Sequence, residues 1–140
     1  MQLDGKIGAA LDGVVDSGLN NLLGFTLEEA GPDRVVAWWT VDARHLQPYG
    51  IVHGGVYCSA VEATASIGAA VWFGERGRVV GVANHTNFLR AVREGVLTAT
   101  ATPIHRGRSQ QLWLVEVTDE NDRAVARGEV RLQNLAEHGG

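Results

Sequence analysis

The segment from Gln47 to Gly55 joins a loop to a helix, and its residue types could polarise a carbonyl group. It reads Gln-Pro-Tyr-Gly-Ile-Val-His-Gly-Gly, so two adjacent glycines follow His53 where the helix begins. Glycine lets a ligand approach the backbone closely. The first N–H groups of a helix lack intrahelical partners and suit an anion or a polarised carbonyl oxygen, as in an oxyanion hole. The alternative interpretation is an ordinary turn followed by a helix start.

Glu62 is the only charged residue between His53 and Gly74, and its carboxylate could act as a general base or a nucleophile. A carboxylate among alanine, valine and isoleucine side chains carries a desolvation cost unless it is paired. Ser66 lies four residues later on the same helical face, where its hydroxyl group could hydrogen-bond to Glu62 or to a water that Glu62 activates. The structural alternative is that Glu62 pairs with an arginine in a buried network.

The spacing between Gly54 and Glu62 sets a condition on how the two residues could act together. They are eight residues apart in one predicted helix, which is about 12 Å at 1.5 Å per residue. A catalytic base must lie about 3 Å from the atom on which it acts, so these residues of one chain cannot serve one carbonyl group. If both are catalytic, Glu62 must come from a second subunit whose helix runs antiparallel to the first. On that condition, the sequence predicts a two-fold dimer with two composite sites.

A second group of residues could bind phosphate groups. Arg90 and Arg93 end one predicted strand region, and Gly107, Arg108 and Ser109 lie in a turn before another. Arginine binds phosphate through bidentate hydrogen bonds, and a glycine-containing turn with a hydroxyl group can hold an anion. In an acidic protein, these residues indicate a small phosphorylated ligand rather than a polyanion. The alternative interpretation is the ordinary charged end of a hairpin.

The element that must position Glu62 is a long helix predicted over residues 53–73. It contains no proline and is apolar nearly all round, which predicts that it is buried. Its apolar residues follow the three-to-four spacing of a helix at Val56, Ala60, Ala63, Ile67 and Val71. A second, short helix weakened by glycines is predicted within residues 1–24.

Strands are predicted for most of the remaining chain. Composition and alternation predict them over residues 34–41, 79–88 and 96–104. A hairpin is predicted from residues 112–118 and 124–132. Trp38 and Trp39 should point to opposite faces of their strand, with at least one in the core. Because helices and strands are segregated along the chain, the order predicts an α+β fold with an antiparallel sheet against the central helix.

The size and charge of the chain exclude several classes of protein. A length of 140 residues predicts a single domain over 1–140. The formal net charge of −4 argues against binding nucleic acid through a basic surface. We find neither an uncharged apolar run of membrane-spanning length nor a targeting signal, so we expect a cytoplasmic protein without a membrane partner. The five histidines lack metal-ligand spacing, so we expect no metal site, and we expect Cys58 to be a small core residue.

At these residues the sequence resembles the hotdog-fold acyl-CoA thioesterases of the PaaI-like family. The likeness runs from about residue 22 to residue 132 and is strongest over residues 47–66, 79–95 and 103–113. It is greatest for the aroyl-CoA branch, which includes 4-hydroxybenzoyl-CoA and 1,4-dihydroxy-2-naphthoyl-CoA thioesterases. That branch pairs a glutamine before His-Gly-Gly with a glutamate on the central helix, and this chain has Gln47 and Glu62 at those positions.

The resemblance implies a hotdog fold, in which an antiparallel sheet wraps around the central helix. It also implies an acyl-CoA substrate, no metal, no cofactor, and dimers that pair into tetramers. Five residues take catalytic roles. The Gly54 N–H would polarise the thioester carbonyl, Gln47 and His53 would position the thioester and the leaving thiolate, and Ser66 would orient the hydrolytic water. Glu62 of the partner subunit would be the nucleophile or the general base.

The resemblance also assigns the second group of residues to the phosphates of CoA, namely Arg90, Arg93, Gly107, Arg108 and Ser109. The chain departs from naphthoate-type relatives at Phe88, where they carry a more polar residue. Phe88 could line a more apolar acyl pocket or could be part of the core. The acyl group therefore stays open, because pocket shape depends on packing across the subunit interface.

Three functions follow from these residues. The first is hydrolysis of an acyl-CoA or aroyl-CoA thioester to the free acid and CoA, which the spacing of Gln47, His53, Glu62 and Ser66 favours. The second is a hotdog hydratase or dehydratase acting on acyl-CoA or acyl-carrier-protein substrates. The third is a non-catalytic CoA-ester-binding module, which would keep the basic residues but would not need Glu62.

Overall fold

The structure is a computed structural model, and it describes residues 17–137. Within this range the chain forms two α-helices, α1 (Gly18–Leu22) and α2 (Gly54–Phe73), and two single 3₁₀ turns, Ala43–His45 and Gly74–Arg76. The six strands are β1 (Thr26–Ala30), β2 (Val35–Thr40), β3 (Gly77–Phe88), β4 (Val96–Arg106), β5 (Gln110–Thr118) and β6 (Ala124–Ala136). Of the short helix predicted within residues 1–24, the described part is α1, and residues 1–16 lie outside the described range.

The central helix begins and ends where capping residues require it. His53 is the N-cap of α2, and its ring accepts a hydrogen bond from the Gly55 N–H. Gly74 follows the last helical residue with φ of 60°, a left-handed conformation in which glycine carries no penalty. The helix packs against all six strands, which accounts for its apolar composition. By length and composition alone, Gly54–Arg76 would also pass as a membrane-spanning helix.

The six strands form one antiparallel sheet in the order β1-β2-β4-β5-β6-β3. The sheet wraps around α2, so the predicted α+β architecture is confirmed. Burial alternates along β5, and its buried residues Trp113, Val115 and Val117 face the helix while their neighbours face outward. Trp39 is buried and Trp38 is half-buried, as predicted for adjacent residues of one strand. Strand β1 was not predicted.

Strand β3 is the most exposed strand of the sheet and forms one of its edges. It pairs with β6 on one side only, and most of its residues are exposed. The exposed set includes two large aliphatic side chains, Val80 at 45% and Val82 at 55% relative exposure. An apolar edge strand with free backbone groups is a surface suited to pairing with another strand.

Candidate active site

The start of α2 leaves one backbone donor free in the part of the chain that the structure describes. The His53 ring nitrogen Nδ1 accepts from the Gly55 N–H at 2.8 Å, and the His53 carbonyl accepts from the Val56 N–H at 2.9 Å. No described residue accepts a hydrogen bond from the Gly54 N–H. Because Nδ1 is an acceptor, the neutral His53 ring carries its proton on Nε2, which is a second donor at the exposed helix start.

Phe88 forms an apolar wall beside this helix start. A Cβ atom on Gly54 would lie 2.5 Å from Phe88 Cζ, so the ring occupies the space that any larger residue would need. The Phe88 ring also contacts the Tyr57 ring, with centroids 5.9 Å apart. Phe88 is 54% exposed, so it is not a core residue of the single chain. It is placed to contact a ligand that approaches the Gly54 N–H.

Gln47 lies in a tight turn that ends before the helix. Its side-chain Oε1 accepts from the Tyr49 N–H, and its backbone carbonyl accepts from the Gly50 N–H at 2.8 Å. Gly50 adopts φ of 80° in this turn. The Arg93 guanidinium donates to the carbonyl oxygens of Tyr49 and Gly50 at 3.1 and 3.3 Å. Arg93, predicted to hold a phosphate, therefore braces the loop that carries Gln47.

Glu62 is half-buried and is held by hydrogen-bond donors rather than by a cation. Its Oε1 accepts from Asn84 Nδ2 at 3.2 Å, and its Oε2 lies 3.5 Å from the Ser66 hydroxyl. Asn84 also donates to the Cys58 carbonyl at 3.1 Å, which fixes its amide on α2. Within residues 17–137, Glu62 forms no salt bridge, so the predicted alternative of a buried arginine partner is absent there.

Asn84 is the site residue that the sequence did not reveal. It lies on β3, 22 residues from Glu62, and Thr86 donates to its Oδ1 at 2.7 Å. The amide orientation follows, because a threonine hydroxyl on Oδ1 leaves Nδ2 for the carboxylate. The only signal in the sequence is the polar run Asn84-His85-Thr86-Asn87 that follows the apolar residues 79–83 of the same strand.

Glu62 and Ser66 face a cavity of about 600 Å³ between α1, α2 and β3. This volume is in the range of small-molecule sites. Leu19 and Asn20 of α1 form one wall, and Cys58 lines the opening as well. The prediction that Cys58 is a core residue is wrong for the single chain, because its side chain is half-buried in this cavity.

The two parts of the predicted catalytic site lie on one helix but apart. Gly54 is the first residue of α2 and Glu62 lies two turns later, a separation of about 12 Å along the axis. One chain therefore presents the free N–H and the carboxylate at two different places, as the spacing predicted.

The predicted phosphate-binding residues form two separate groups. Arg90 and Arg93 precede β4 and line an open cleft that also contains Asp119 and Glu120. Residues 107–109 follow β4, which spans 11 residues and is about 34 Å long. One chain therefore does not bring the two groups together at one phosphate. In the described part of the chain, no group of three histidine, cysteine or acidic residues could hold a metal ion.

Comparison with known proteins places this geometry among thioesterases. Residues 49–126 match the family described as the thioesterase superfamily. The chain is 53% identical over 116 residues to the "Putative esterase Rv1847" of Mycobacterium tuberculosis, covering 81% of this chain and 83% of that protein. It is 33% identical over 109 residues to the 1,4-dihydroxy-2-naphthoyl-CoA hydrolase of Escherichia coli, covering 76% of this chain and 80% of the other.

A solved structure gives the same result in three dimensions. The thioesterase HI1161 of Haemophilus influenzae superposes with a TM-score of 0.84 at 33% identity. The superposition covers 93% of this chain and 92% of the other.

Proposed function

Because this chain belongs to the thioesterase superfamily, has its hotdog fold and is a thioester hydrolase, we propose that its substrate is an acyl-CoA or aroyl-CoA thioester. The observation that carries the proposal is the environment of Glu62. The carboxylate faces a cavity of ligand size, is oriented by Asn84 and Ser66, and has no cationic partner among the described residues. A carboxylate that is held in place but not neutralised is suited to act on a substrate.

In the proposed reaction, the Gly54 N–H donates to the thioester carbonyl and stabilises the oxyanion that forms on it. The Nε2–H of His53 and the amide of Gln47 orient the thioester and its sulfur. Glu62 either attacks the carbonyl carbon or removes a proton from a water that attacks it, and Ser66 orients that water. The tetrahedral intermediate then collapses, the C–S bond breaks, and CoA leaves as a thiolate that takes up a proton. Direct attack by Glu62 forms an anhydride that water must then hydrolyse.

We propose that each active site is composite, with Glu62 of the partner subunit acting at the helix start of the first. The 12 Å spacing along α2 requires this arrangement if both groups act on one carbonyl. The exposed edge strand β3 supports it, because Val80 and Val82 present an apolar surface there and Asn84 of the same strand holds Glu62. Pairing of β3 with a second copy would satisfy the unpaired backbone groups of this edge, and two such dimers would form the tetramer that the family resemblance implies.

Composite sites predict complementation between two inactive variants. Gly54→Ala adds a Cβ atom that clashes with the Phe88 ring at the helix start. Glu62→Gln removes the carboxylate. Mixed dimers that contain one subunit of each variant hold one intact site, so we expect up to half of the wild-type activity per dimer. Confirmed heterodimers without any recovered activity would contradict the composite site.

We further propose that each CoA is bound by one group of predicted phosphate-binding residues from one subunit and by the other group from a second subunit. Arg90 and Arg93 cannot reach the phosphate that Arg108 contacts in the same chain, because β4 lies between them. A CoA bound at the dimer interface can contact Arg90 of one subunit and the turn at residues 107–109 of another.

The direct experiment measures thiol release from a panel of benzoyl, phenylacetyl, hydroxynaphthoyl and medium-chain aliphatic CoA esters. We expect wild-type turnover of at least one ester and a loss of about 10²- to 10⁴-fold in kcat for Glu62→Gln. Glu116→Gln, which removes a half-exposed carboxylate on β5, is the matched control. A wild-type protein that releases no thiol from any ester would refute CoA thioesters as substrates. Hydration of crotonyl-CoA without thiol release would favour a hydratase.

A further inference from the structure

Asn134 near the end of β6 is bonded to three consecutive carbonyl groups of the β4–β5 turn. Its side-chain Nδ2 donates to the carbonyl oxygens of Gly107 and Arg108 at 3.1 and 3.3 Å. Its backbone N–H donates to the Ser109 carbonyl at 2.8 Å. Asn134 is only 7% exposed, so these hydrogen bonds are shielded from water. A single residue therefore fixes the orientation of the three peptide groups whose carbonyls belong to Gly107, Arg108 and Ser109.

Fixing the carbonyl groups also fixes the N–H groups on the other side of each peptide plane. The peptide bonds within residues 17–137 are all trans, so the N–H of Arg108 points away from the Gly107 carbonyl, and the N–H of Ser109 away from the Arg108 carbonyl. Both N–H groups are therefore directed away from Asn134, and no described residue accepts a hydrogen bond from either. Two successive N–H groups directed outward from a turn can bind an anion. The exposed side chains of Arg108 and Ser109 lie at the same turn.

Trp113, deeper in the core, determines which way the side-chain amide of Asn134 faces. The indole Nε1–H can only donate, and it donates to Gln111 Oε1 at 2.8 Å. Gln111 Nε2 therefore faces the other way and donates to Ala69 of α2 at 3.2 Å and to Asn134 Oδ1 at 2.8 Å. With its Oδ1 occupied by Gln111, Asn134 must direct Nδ2 at the turn. Trp113 and Gln111 are fully buried, so water does not compete for these bonds.

We propose that Asn134 is a positioning residue, held in one orientation by Gln111 and Trp113, that presents the N–H groups of Arg108 and Ser109 to a phosphate of CoA. The proposal rests on the proposed function, since it requires a CoA thioester as substrate. Asn134 does not contact the ligand. Without its amide, the turn keeps the arginine and serine side chains but loses the fixed direction of its peptide groups.

The test compares one acyl group carried on CoA with the same acyl group carried on pantetheine, which lacks the phosphates at the nucleotide end. We expect Asn134→Ala to raise KM for the CoA ester by about 5- to 20-fold, which is near the lower end of the value of one hydrogen bond to a charged group. The kcat for that ester and the KM for the pantetheine ester should stay within about twofold. The inhibition constant of adenosine 3′,5′-bisphosphate should rise in parallel. Thr102→Ala, at an exposed position of β4 away from the turn, is the control and should change neither KM.

Trp113→Phe provides a second variant that leaves Asn134 and the turn sequence intact. It removes the donor that orients Gln111 together with part of the buried indole, so we expect some loss of stability and a smaller rise in KM that again affects the CoA ester alone. If Asn134→Ala does not unfold cooperatively on heating, Trp113→Phe is the variant that tests the positioning role of Asn134. Equal rises for the CoA and pantetheine esters, or no rise for either, would overturn the positioning role while wild-type hydrolysis of the CoA ester still supports the proposed function. A wild type that does not hydrolyse the CoA ester would instead refute the proposed function.

Discussion

Replacing Gly81 with alanine tests the role of Glu62 without changing the carboxylate itself. Gly81 lies on β3 directly against Glu62, and an ideal Cβ atom at this position would overlap Glu62 Oε2. The backbone of Gly81 is not in the left-handed region, so alanine can adopt it without strain. The substitution therefore acts through one contact, the added methyl group against the carboxylate.

The size of the displacement follows from the same geometry. The Cβ atom would lie 3.0 Å from Glu62 Cδ, whereas non-bonded carbon atoms keep about 3.5–4.0 Å. The carboxyl carbon must therefore move by roughly 0.5–1 Å, and the overlapping Oε2 must move further, which also disturbs the 3.2 Å hydrogen bond from Asn84. Misplacing a catalytic group by about 1 Å can reduce the rate about 10²-fold. We expect Gly81→Ala to lower kcat by about 10- to 100-fold, or about 1.4–2.7 kcal/mol in activation free energy.

The assay is steady-state thiol release from a CoA ester that the wild type hydrolyses, with the melting temperature measured in parallel. Gly31→Ala is the matched control, because its Cβ would meet only the Arg34 carbonyl at an ordinary 3.6 Å. We expect KM and the melting temperature to change little in either variant. A Gly81→Ala enzyme with wild-type kcat, beside an inactive Glu62→Gln enzyme, would show that catalysis does not need the carboxylate where the structure places it.

Three further predictions concern stability. Gly68→Ala should destabilise the fold by about 1–3 kcal/mol in urea unfolding, because its Cβ would lie 2.6 Å from the fully buried Trp113 ring; an unchanged midpoint would contradict this packing. Burial raises the pKa of Tyr57 to about 12, and no described residue bonds its hydroxyl. Tyr57→Phe should therefore be neutral or stabilising by up to about 1 kcal/mol, and a clear loss of stability would reveal a partner for the hydroxyl. The Arg123 backbone N–H lowers the pKa of Asp119, so this carboxylate stabilises the fold above about pH 3.9 and stops doing so as pH falls through its lower folded pKa. Between pH 5 and 2, the free energy of unfolding measured in urea should fall less for Asp119→Asn than for the wild type. An identical fall in the two proteins would refute this prediction.

The parts of the site that the sequence predicted are those that one segment determines by itself. The apolar repeat over residues 53–73 specifies α2, and the two glycines after His53 specify a helix start that a ligand can approach. Glu62 stands out because it is the one charged residue on that helix. Its separation from Gly54 follows from helix geometry alone. These predictions needed no knowledge of how distant segments meet.

The missed features depend on contacts between distant segments. Strand β1 has a single buried residue, Leu27, beside two adjacent glutamates, so only its pairing with β2 makes it a strand. Asn84 becomes a partner of Glu62 because β3 runs beside α2. Arg93 was assigned to phosphate by its charge, but it bonds the carbonyl groups of a loop more than 40 residues earlier. Side-chain type alone does not distinguish an arginine that binds a ligand from one that stabilises a loop.

Two separations within one chain lead to the same conclusion about assembly. Along α2, the Gly54 N–H and the Glu62 carboxylate are too far apart to act on one carbonyl group. Along β4, the group that contains Arg90 and the turn that Asn134 holds are too far apart to contact one phosphate. In the proposed function, the first separation concerns the reacting atoms and the second concerns the nucleotide end of the ligand, so they are independent. In both cases, a second copy of the chain would supply the group that is too distant in the first. Among the described residues, the exposed edge of β3 is the surface on which that copy would bind.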